Sequence, residues 1–247
     1  MRVFACFDDT DVLDAPRGTG KLVRWFEDEL PDGCRLWGVV RQQLLVHPDI
    51  PYTSHNSSAC AVIDCDTPDV IEEITIRAIA HVERHMFDGS DPGVCVVAAD
   101  DPAVDRLMVF GRRAATEVVT QEDARVAASG AHLSGHGGTN DGIIGAAAGV
   151  GLTAAGWSGR FVEFGGLRDY GEEVEVRTLE AAGMLVVPVD RNTVTPRHED
   201  TVVTYGWLRP RLWGGRPVVP VMHAGAARWD AIGKGPSGES IVAGSDR

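Results

Sequence analysis

The chain has 247 residues, with 23 Lys and Arg against 36 Asp and Glu, a formal charge of −13 and a pI near 5.0. No run of cations is long enough to make a stripe facing phosphates, so a freely nucleic-acid-binding surface is not expected and nucleic acid would need a partner. A hydrophobic share of 44% with 24% charged residues excludes disorder and collagen-like repeats. The length fits one large domain or two of roughly 100–150 residues, and two lobes are expected.

The first predicted element is a central strand, Val3 to Phe7, which ends abruptly in Asp8, Asp9, Thr10 and Asp11. The start MRVFACF leaves no room for the apolar region of a signal peptide, and no apolar stretch reaches the roughly 18 residues of a membrane span. A cytoplasmic protein without a membrane partner is the expectation. A loop at Arg17-Gly18-Thr19-Gly20 leads into a helix from Lys21 to Leu30, where Leu22, Val23 and Phe26 recur at helical spacing and Pro31-Asp32-Gly33 stops the run. Strands are predicted at Leu36–Val46 and Ala59–Ile63, around a polar loop from Pro51 to Ser58 of a kind more often functional than decorative.

From Pro68 to Met86 the residues Ile71, Ile74, Ala78, Val82 and Met86 mark one helix face, with Glu73 and Arg77 spaced as an ion pair. His81 and His85 share a face of this helix, but His-Val-Glu-Arg-His is not the zinc pattern His-Glu-x-x-His, and both read as solvated. A strand at Gly93–Ala99 closes the first lobe, with a boundary near Asp100-Asp101-Pro102. Beyond it come an amphipathic helix to about Arg112, a short strand at Glu117–Thr120, a helix at Gln121–Ala128 and a glycine-rich stretch from His136 to Gly151. Strands follow at Arg160–Phe164 and Met184–Val189. This alternation predicts an α/β (α+β) sandwich in each lobe. Thr201 to His223 reads as a β-hairpin, and the Gly/Ser-rich tail from Gly233 to Arg247 as mobile. Trp207 and Trp213 fit either a homodimer surface or a core within one chain. The five cysteines, Cys6, Cys34, Cys60, Cys65 and Cys95, sit mostly in apolar settings without a CxxC pair, and read as buried free thiols in a reducing compartment.

The acidic tip of the first strand is the sharpest chemical feature. Asp8, Asp9, Asp11 and Asp14 place four carboxylates within seven positions, where they repel one another unless a cation intervenes. Carboxylates at the C-terminal edge of a strand sit where open α/β sheets hold ligands, and hard oxygens suit Mg²⁺ with a nucleotide phosphate. The alternative is a solvated turn that caps the next helix. Gly18, Gly20 and Lys21 lack the Walker A spacing, so they mark either an anion-binding helix start or a plain helix entry. Gly137 to Gly145 suggests a second helix start, capped by Thr139 or Asn140. Gly142, Gly145 and Gly149 there would allow close approach to a sheet or to a ligand.

In their order along the chain, Asp8-Asp9-Thr10-Asp11, the loop from His47 to Ser57, the turn Ser90-Asp91-Pro92-Gly93 and the segment Gly138–Ala146 resemble the archaeal agmatinylcytidine synthetase of isoleucine tRNA. The similarity runs over about residues 1–190. It implies a kinase-like ATP- and Mg²⁺-binding domain at 1–100, a ferredoxin-like domain at 101–190 and a C-terminal hairpin with tail at 191–247. In that family ATP phosphorylates a cytidine carbonyl oxygen and the amine of agmatine displaces the phosphate, which turns a poor leaving group into a good one. The resemblance implies that Asp8, Asp9 and Asp11 hold Mg²⁺ and ATP phosphates and that Asn56 and Ser57 line the cleft. Two positions depart from the pattern. Lys21 stands where the family carries a phosphorylated threonine, with Thr19 nearby, and Asp141 replaces an arginine ahead of Gly142. The chain also stops before the family's OB-fold and zinc ribbon.

The expected function is therefore an ATP- and Mg²⁺-dependent ligase or phosphotransferase that activates a carbonyl or carboxyl oxygen of a small molecule and condenses it with an amine. Asp8, Asp9, Asp11, Thr19 and Lys21 are the candidate catalytic residues, and Gly18, Gly20, Asn56 and Ser57 the nucleotide contacts. Thr139, Asn140, Asp141 and Gly142 are the candidate substrate contacts, with Asp141 facing the amine. The alternatives are a tRNA cytidine-modifying enzyme with a partner for RNA, a haloacid-dehalogenase-like phosphatase built on Asp9-Thr10-Asp11, and a degenerate nucleotide-binding regulator.

Overall fold

The computed structural model describes residues 1–50, 55–190, 194–234 and 240–241; the loop residues Pro51 to Ser54 and most of the Gly/Ser-rich tail lie outside the described residues. The chain forms two compact units, Met1–Val162 and Glu163–Arg247.

In chain order the first unit contains β1 (Arg2–Asp8), α1 (Thr19–Trp25), β2 (Cys34–Gln43), β3 (Ser57–Cys65), α2 (Ile71–His85), β4 (Gly93–Ala98), α3 (Ala103–Ala114), α4 (Gln121–Ala127), β5 (His132–Gly135), α5 (Gly142–Ala155) and β6 (Arg160–Glu163). Its sheet runs β5-β4-β1-β3-β2-β6, with β1 in the middle as expected. Successive side chains of a strand point to opposite faces. Val3, Ala5 and Phe7 accordingly join Leu22, Val23 and Phe26, and Ile74, Ala78 and Val82 of α2, in one core layer. Cys6 and Asp8 point the other way, toward α5. Helices on both faces explain why β1 is an unbroken apolar run instead of an alternating one.

The sheet differs from the expected type in one respect that matters for the site. β1 is antiparallel to both β3 and β4, and the β2–β3 and β4–β5 pairs are antiparallel as well. The ligand crevice of open parallel sheets is therefore not the reason for a site at this edge. Here the site is made by loops and by the start of α5.

Helix α5 also accounts for the unit boundary. Its sequence, GIIGAAAGVGLTAA, is apolar all round and almost every residue is buried, as befits a helix with protein on every side. It packs against β1, β3 and β4 on one side and α3 on the other. Residues 101–162, read from the sequence as part of a second lobe, thus complete the first unit. Segment 117–120, expected as a strand, has no strand pairing; it is an irregular connection into α4, which Thr120 and Asp123 cap reciprocally.

The second unit contains β7 (Glu173–Glu175), α6 (Val176–Ala181), β8 (Leu185–Pro188), β9 (Thr201–Val203), β10 (Arg211–Trp213), β11 (Arg216–Gly225) and β12 (Arg228–Ala231), with the short pair β13 (Gly233–Lys234) and β14 (Ser240–Ile241). The expected hairpin is β10–β11, turned by Gly214 and Gly215, both at positive φ. β11 also pairs with β8 in parallel and with β12 in antiparallel fashion. The sequence signals for α6, β7 and β12 are too short to be read from periodicity. No helix among the described residues is long and apolar enough to cross a membrane.

Candidate functional site

At the end of β1 the chain turns sharply. Asp9 adopts a left-handed φ of 51°, which Asp tolerates better than most residues. The turn is held from behind, since the N–H of Phe87 donates to Thr10 O at 3.2 Å and that of Asp91 to Asp9 O at 3.1 Å. Thr10 is completely buried. Its hydroxyl donates to Thr19 Oγ1 at 3.0 Å, and Thr19 Oγ1 donates to Asp11 Oδ1 at 3.1 Å. The first residue of α1 is thereby tied to the acidic tip.

Helix α5 approaches this tip closely because Gly145 and Gly149 face β1. A Cβ at position 145 would lie 3.1 Å from Asp8 Cβ and overlap the Asp8 carboxylate, and one at 149 would overlap Cys6 Sγ and Ser58 Oγ. The start of α5 is not capped by Thr139 or Asn140 as expected; the cap position is Asp141, whose side chain makes no capping bond to the helix. Asp91 secures this turn from another loop. Its carboxylate accepts from the backbone N–H of Thr139 at 3.0 Å, of Asn140 at 2.7 Å and of Asp141 at 3.0 Å, and from the Thr139 hydroxyl. Those N–H groups are thus committed to Asp91. Asp141 Oδ1 in turn accepts from Gln121 Nε2 at 2.6 Å.

These pieces enclose a cavity of about 590 Å³ within the first unit. Asp8, Asp9, Asp11, Asp91 and Asp141 form its acidic end, with Thr19, Gly142, Ile144 and Gly145 beside them. Leu44, Asp49, Ile50, His55, Asn56 and Ser57 close it from the β2–β3 connection, and residues 117–121 from the segment before α4. Among the described residues, no Lys or Arg lines it. A smaller adjoining cavity of about 160 Å³ shares Asp11, Thr19, His55 and Ser57, and adds Gly18, Gly20 and Arg41.

Electrostatics in the larger cavity are strained. Burial, with Asp9 and Asp11 adding repulsion, pushes the Asp8 carboxyl up to about 8. Burial, then Asp91, Asp11 and Asp141, pushes Asp9 up to about 6. Carboxyl groups in a cleft perturbed in this way by desolvation and like charge are candidates for a functional site. A set of hard oxygen donors without a matching cation suits a divalent ion such as Mg²⁺.

The structure gathers most of the residues singled out from the sequence, but not all in the expected capacity. Lys21 is exposed, with Nζ stacked 5.3 Å from the Trp25 ring centre, and lines neither cavity. The cation that does line the smaller cavity is Arg41, whose Nε donates to Ser57 Oγ at 2.9 Å. Burial and then Arg160 lower its guanidinium pKa. Its sequence signal was a charged residue inside a predicted buried strand, Val39-Val40-Arg41. The Asn56 amide donates to Leu45 O at 2.6 Å and shapes the loop. Gly142 is buried, where a Cβ would meet Asp91 O and Gly93 N. The anchoring role of Asp91 and the wall at residues 117–121 were not legible, because both depend on contacts across distant segments.

His81 and His85 also depart from expectation. His81 is fully buried, its ring against Phe7 and Phe26, and is not solvated.

No family model and no curated protein matches the chain. Solved structures do. A complex of TiaS with an isoleucine tRNA and ATP matches at a TM-score of 0.52 and 24% identity, over 61% of this chain and 36% of that one. A complex of TiaS with the same tRNA, AMPCPP and agmatine matches at 0.50 and 24%, over the same shares. Apo TiaS, described as an agmatidine synthetase of that isoleucine tRNA, matches at 0.50 and 23%, over 61% of this chain and 35% of that one. The chain therefore spans about a third of the length of these proteins, and over 61% of its own length it has the mixed α/β fold of that part of TiaS.

Proposed function

We propose that the first unit is the catalytic unit of an ATP- and Mg²⁺-dependent enzyme that phosphorylates a carbonyl oxygen and lets an amine displace the phosphate, with a tRNA cytidine as acceptor. The observation that carries this reading is the set of Asp8, Asp9 and Asp11 at one end of a cavity, their charges uncompensated by any Lys or Arg among its described lining residues. The fold shared with structures of TiaS bound to an isoleucine tRNA, ATP and agmatine supports the choice of acceptor.

Asp8, Asp9 and Asp11 would hold Mg²⁺, which when bound neutralises triphosphate charge and polarises the transferring phosphoryl group. Thr19 is the candidate phosphoryl acceptor. Its hydroxyl accepts from Thr10 and donates to Asp11 Oδ1, so a carboxylate stands in place to take its proton were it to receive a phosphoryl group on the way to the carbonyl oxygen. Arg41, instead of Lys21, supplies positive charge from the adjoining cavity. Asp91 and Asp141 beside the metal ligands, with Glu117 on the segment before α4, keep the rest of the lining anionic, which suits an amine substrate. For a chain of charge −13, RNA binding would draw on a local basic groove or on cations from a partner.

Titrating ATP calorimetrically with and without Mg²⁺ tests the reading. Mg²⁺-dependent binding that Asp9→Asn removes is expected, and an Asp9→Asn variant that binds MgATP like the parent would overturn it. The second reading keeps the chemistry but takes a carbonyl or carboxyl group of a small molecule, favoured by the net charge of −13. Copurified tRNA, or a salt-sensitive gel shift with it, separates the two.

A further inference from the structure

On the opposite face of β1 from Asp8, a second cluster lies between the segment that follows α1 and helix α2. Glu29 ends a short 3₁₀ turn, Phe26–Glu29, and His81 and His85 stand one turn apart on α2. One carboxylate oxygen and one nitrogen from each ring lie within 4.8 Å of one another. The two imidazole centres are 4.7 Å apart.

The hydrogen bonding of His81 is the informative detail. Its side chain is 1% exposed, and Nε2 lies 2.9 Å from the carbonyl oxygen of Leu22. That oxygen only accepts, so Nε2 carries the proton, and in a neutral ring Nδ1 is left with its lone pair. Nδ1 points at Glu29 Oε1, 3.4 Å away, which is also an acceptor. A buried nitrogen and a carboxylate oxygen thus face each other lone pair to lone pair, an arrangement that a cation between them resolves. A ring N–H donated to a backbone carbonyl is also how metal-bound histidines are oriented. His85 completes the set at i+4, the spacing that puts two ligands on one helix face.

We propose that Glu29, His81 and His85 form a binding site for a divalent transition-metal ion of the zinc type, with water in the remaining position. Arg84 Nη1 also pairs with Glu29 Oε1; at 58% exposure its side chain is free to turn toward solvent as an ion enters between that oxygen and His81 Nδ1. The ion would clamp the end of the α1 segment to α2, and so steady the helix whose first residue is Thr19.

The test is titration of the chelator-treated chain with Zn²⁺ by calorimetry and with Co²⁺ by visible absorption, alongside His85→Ala, Glu29→Gln and Asp9→Asn. One Zn²⁺ per chain, apart from any held in the acidic cavity, is expected to bind with imidazole-type Co²⁺ bands. His85→Ala, at a half-buried position, should weaken this by at least about 100-fold, and Asp9→Asn should leave it intact. Absence of saturable binding, or binding unchanged in His85→Ala, overturns the proposal. So does an NMR signal showing His81 protonated at Nδ1 under saturating Zn²⁺. Loss of binding in Asp9→Asn alone would assign the ion to the acidic cavity instead.

Discussion

Replacing Gly145 by Ala tests whether α5 fixes Asp8 in place. The added methyl would lie 3.1 Å from Asp8 Cβ and overlap its carboxylate. Two responses are open to the protein. If α5 lifts, overpacking costs about 1–3 kcal/mol, offset by about 1 kcal/mol from the better helix propensity of Ala. The net loss of up to about 2 kcal/mol corresponds to a melting point lower by up to about 4–8 °C for a chain of this size. If Asp8 swings aside instead, stability changes little but one carboxylate leaves the site. Losing a charge-assisted contact of about 1.5–3 kcal/mol weakens MgATP by roughly 10- to 150-fold. Melting curves should register the first response and calorimetry with MgATP the second, whereas Gly171→Ala, where an added Cβ meets nothing within 4 Å, should match the parent in both. A Gly145→Ala protein with parental melting and parental MgATP affinity would refute the packing of α5 on Asp8.

The raised carboxyl groups fix the sign of a pH dependence. With Asp8 at about 8 and Asp9 at about 6 against an ordinary 3.8, the folded chain binds more protons than the unfolded one between roughly pH 4 and 8. Its metal-free stability should therefore fall as pH rises through that window. Melting curves in chelator should show this fall, and Asp8→Asn should flatten it; MgATP affinity should rise over the same range as metal displaces protons. Arg41→Ala should cost about 2 kcal/mol, or roughly 30-fold, in triphosphate affinity, while Lys21→Ala should leave it unchanged, as binding isotherms would show. Thiol titration of the native protein should find Cys34 the most reactive of the five cysteines, because it is half-buried while Cys6, Cys60 and Cys95 are fully buried; equal reactivity of all five before unfolding would contradict this packing.

Much of the first unit is written locally. A run of five apolar residues, Val3 to Phe7, followed by acids specifies a central strand with a charged tip, and the 3.6-residue stripe Ile74, Ala78, Val82 specifies α2. The Glu73–Arg77 pair forms as its spacing implies. The glycines at 142, 145 and 149 correctly signal close approach, though not what is approached. Burial of His81 was misread because a polar residue on the apolar stripe looks solvated until its partners are known, and both of them, Leu22 O and Glu29, come from another segment.

Residue order over a few turns was thus enough for the strand, its carboxylates and the helix faces. Three features waited on the folded chain: Asp91 securing the turn at 139–141, Arg41 in the position expected of Lys21, and residues 101–162 completing the first unit. Hydrogen bonds and charge repulsion act over a few ångströms in space. A group 48 residues away along the chain, as Asp91 is from Thr139, becomes a neighbour only after the sheet has closed around it.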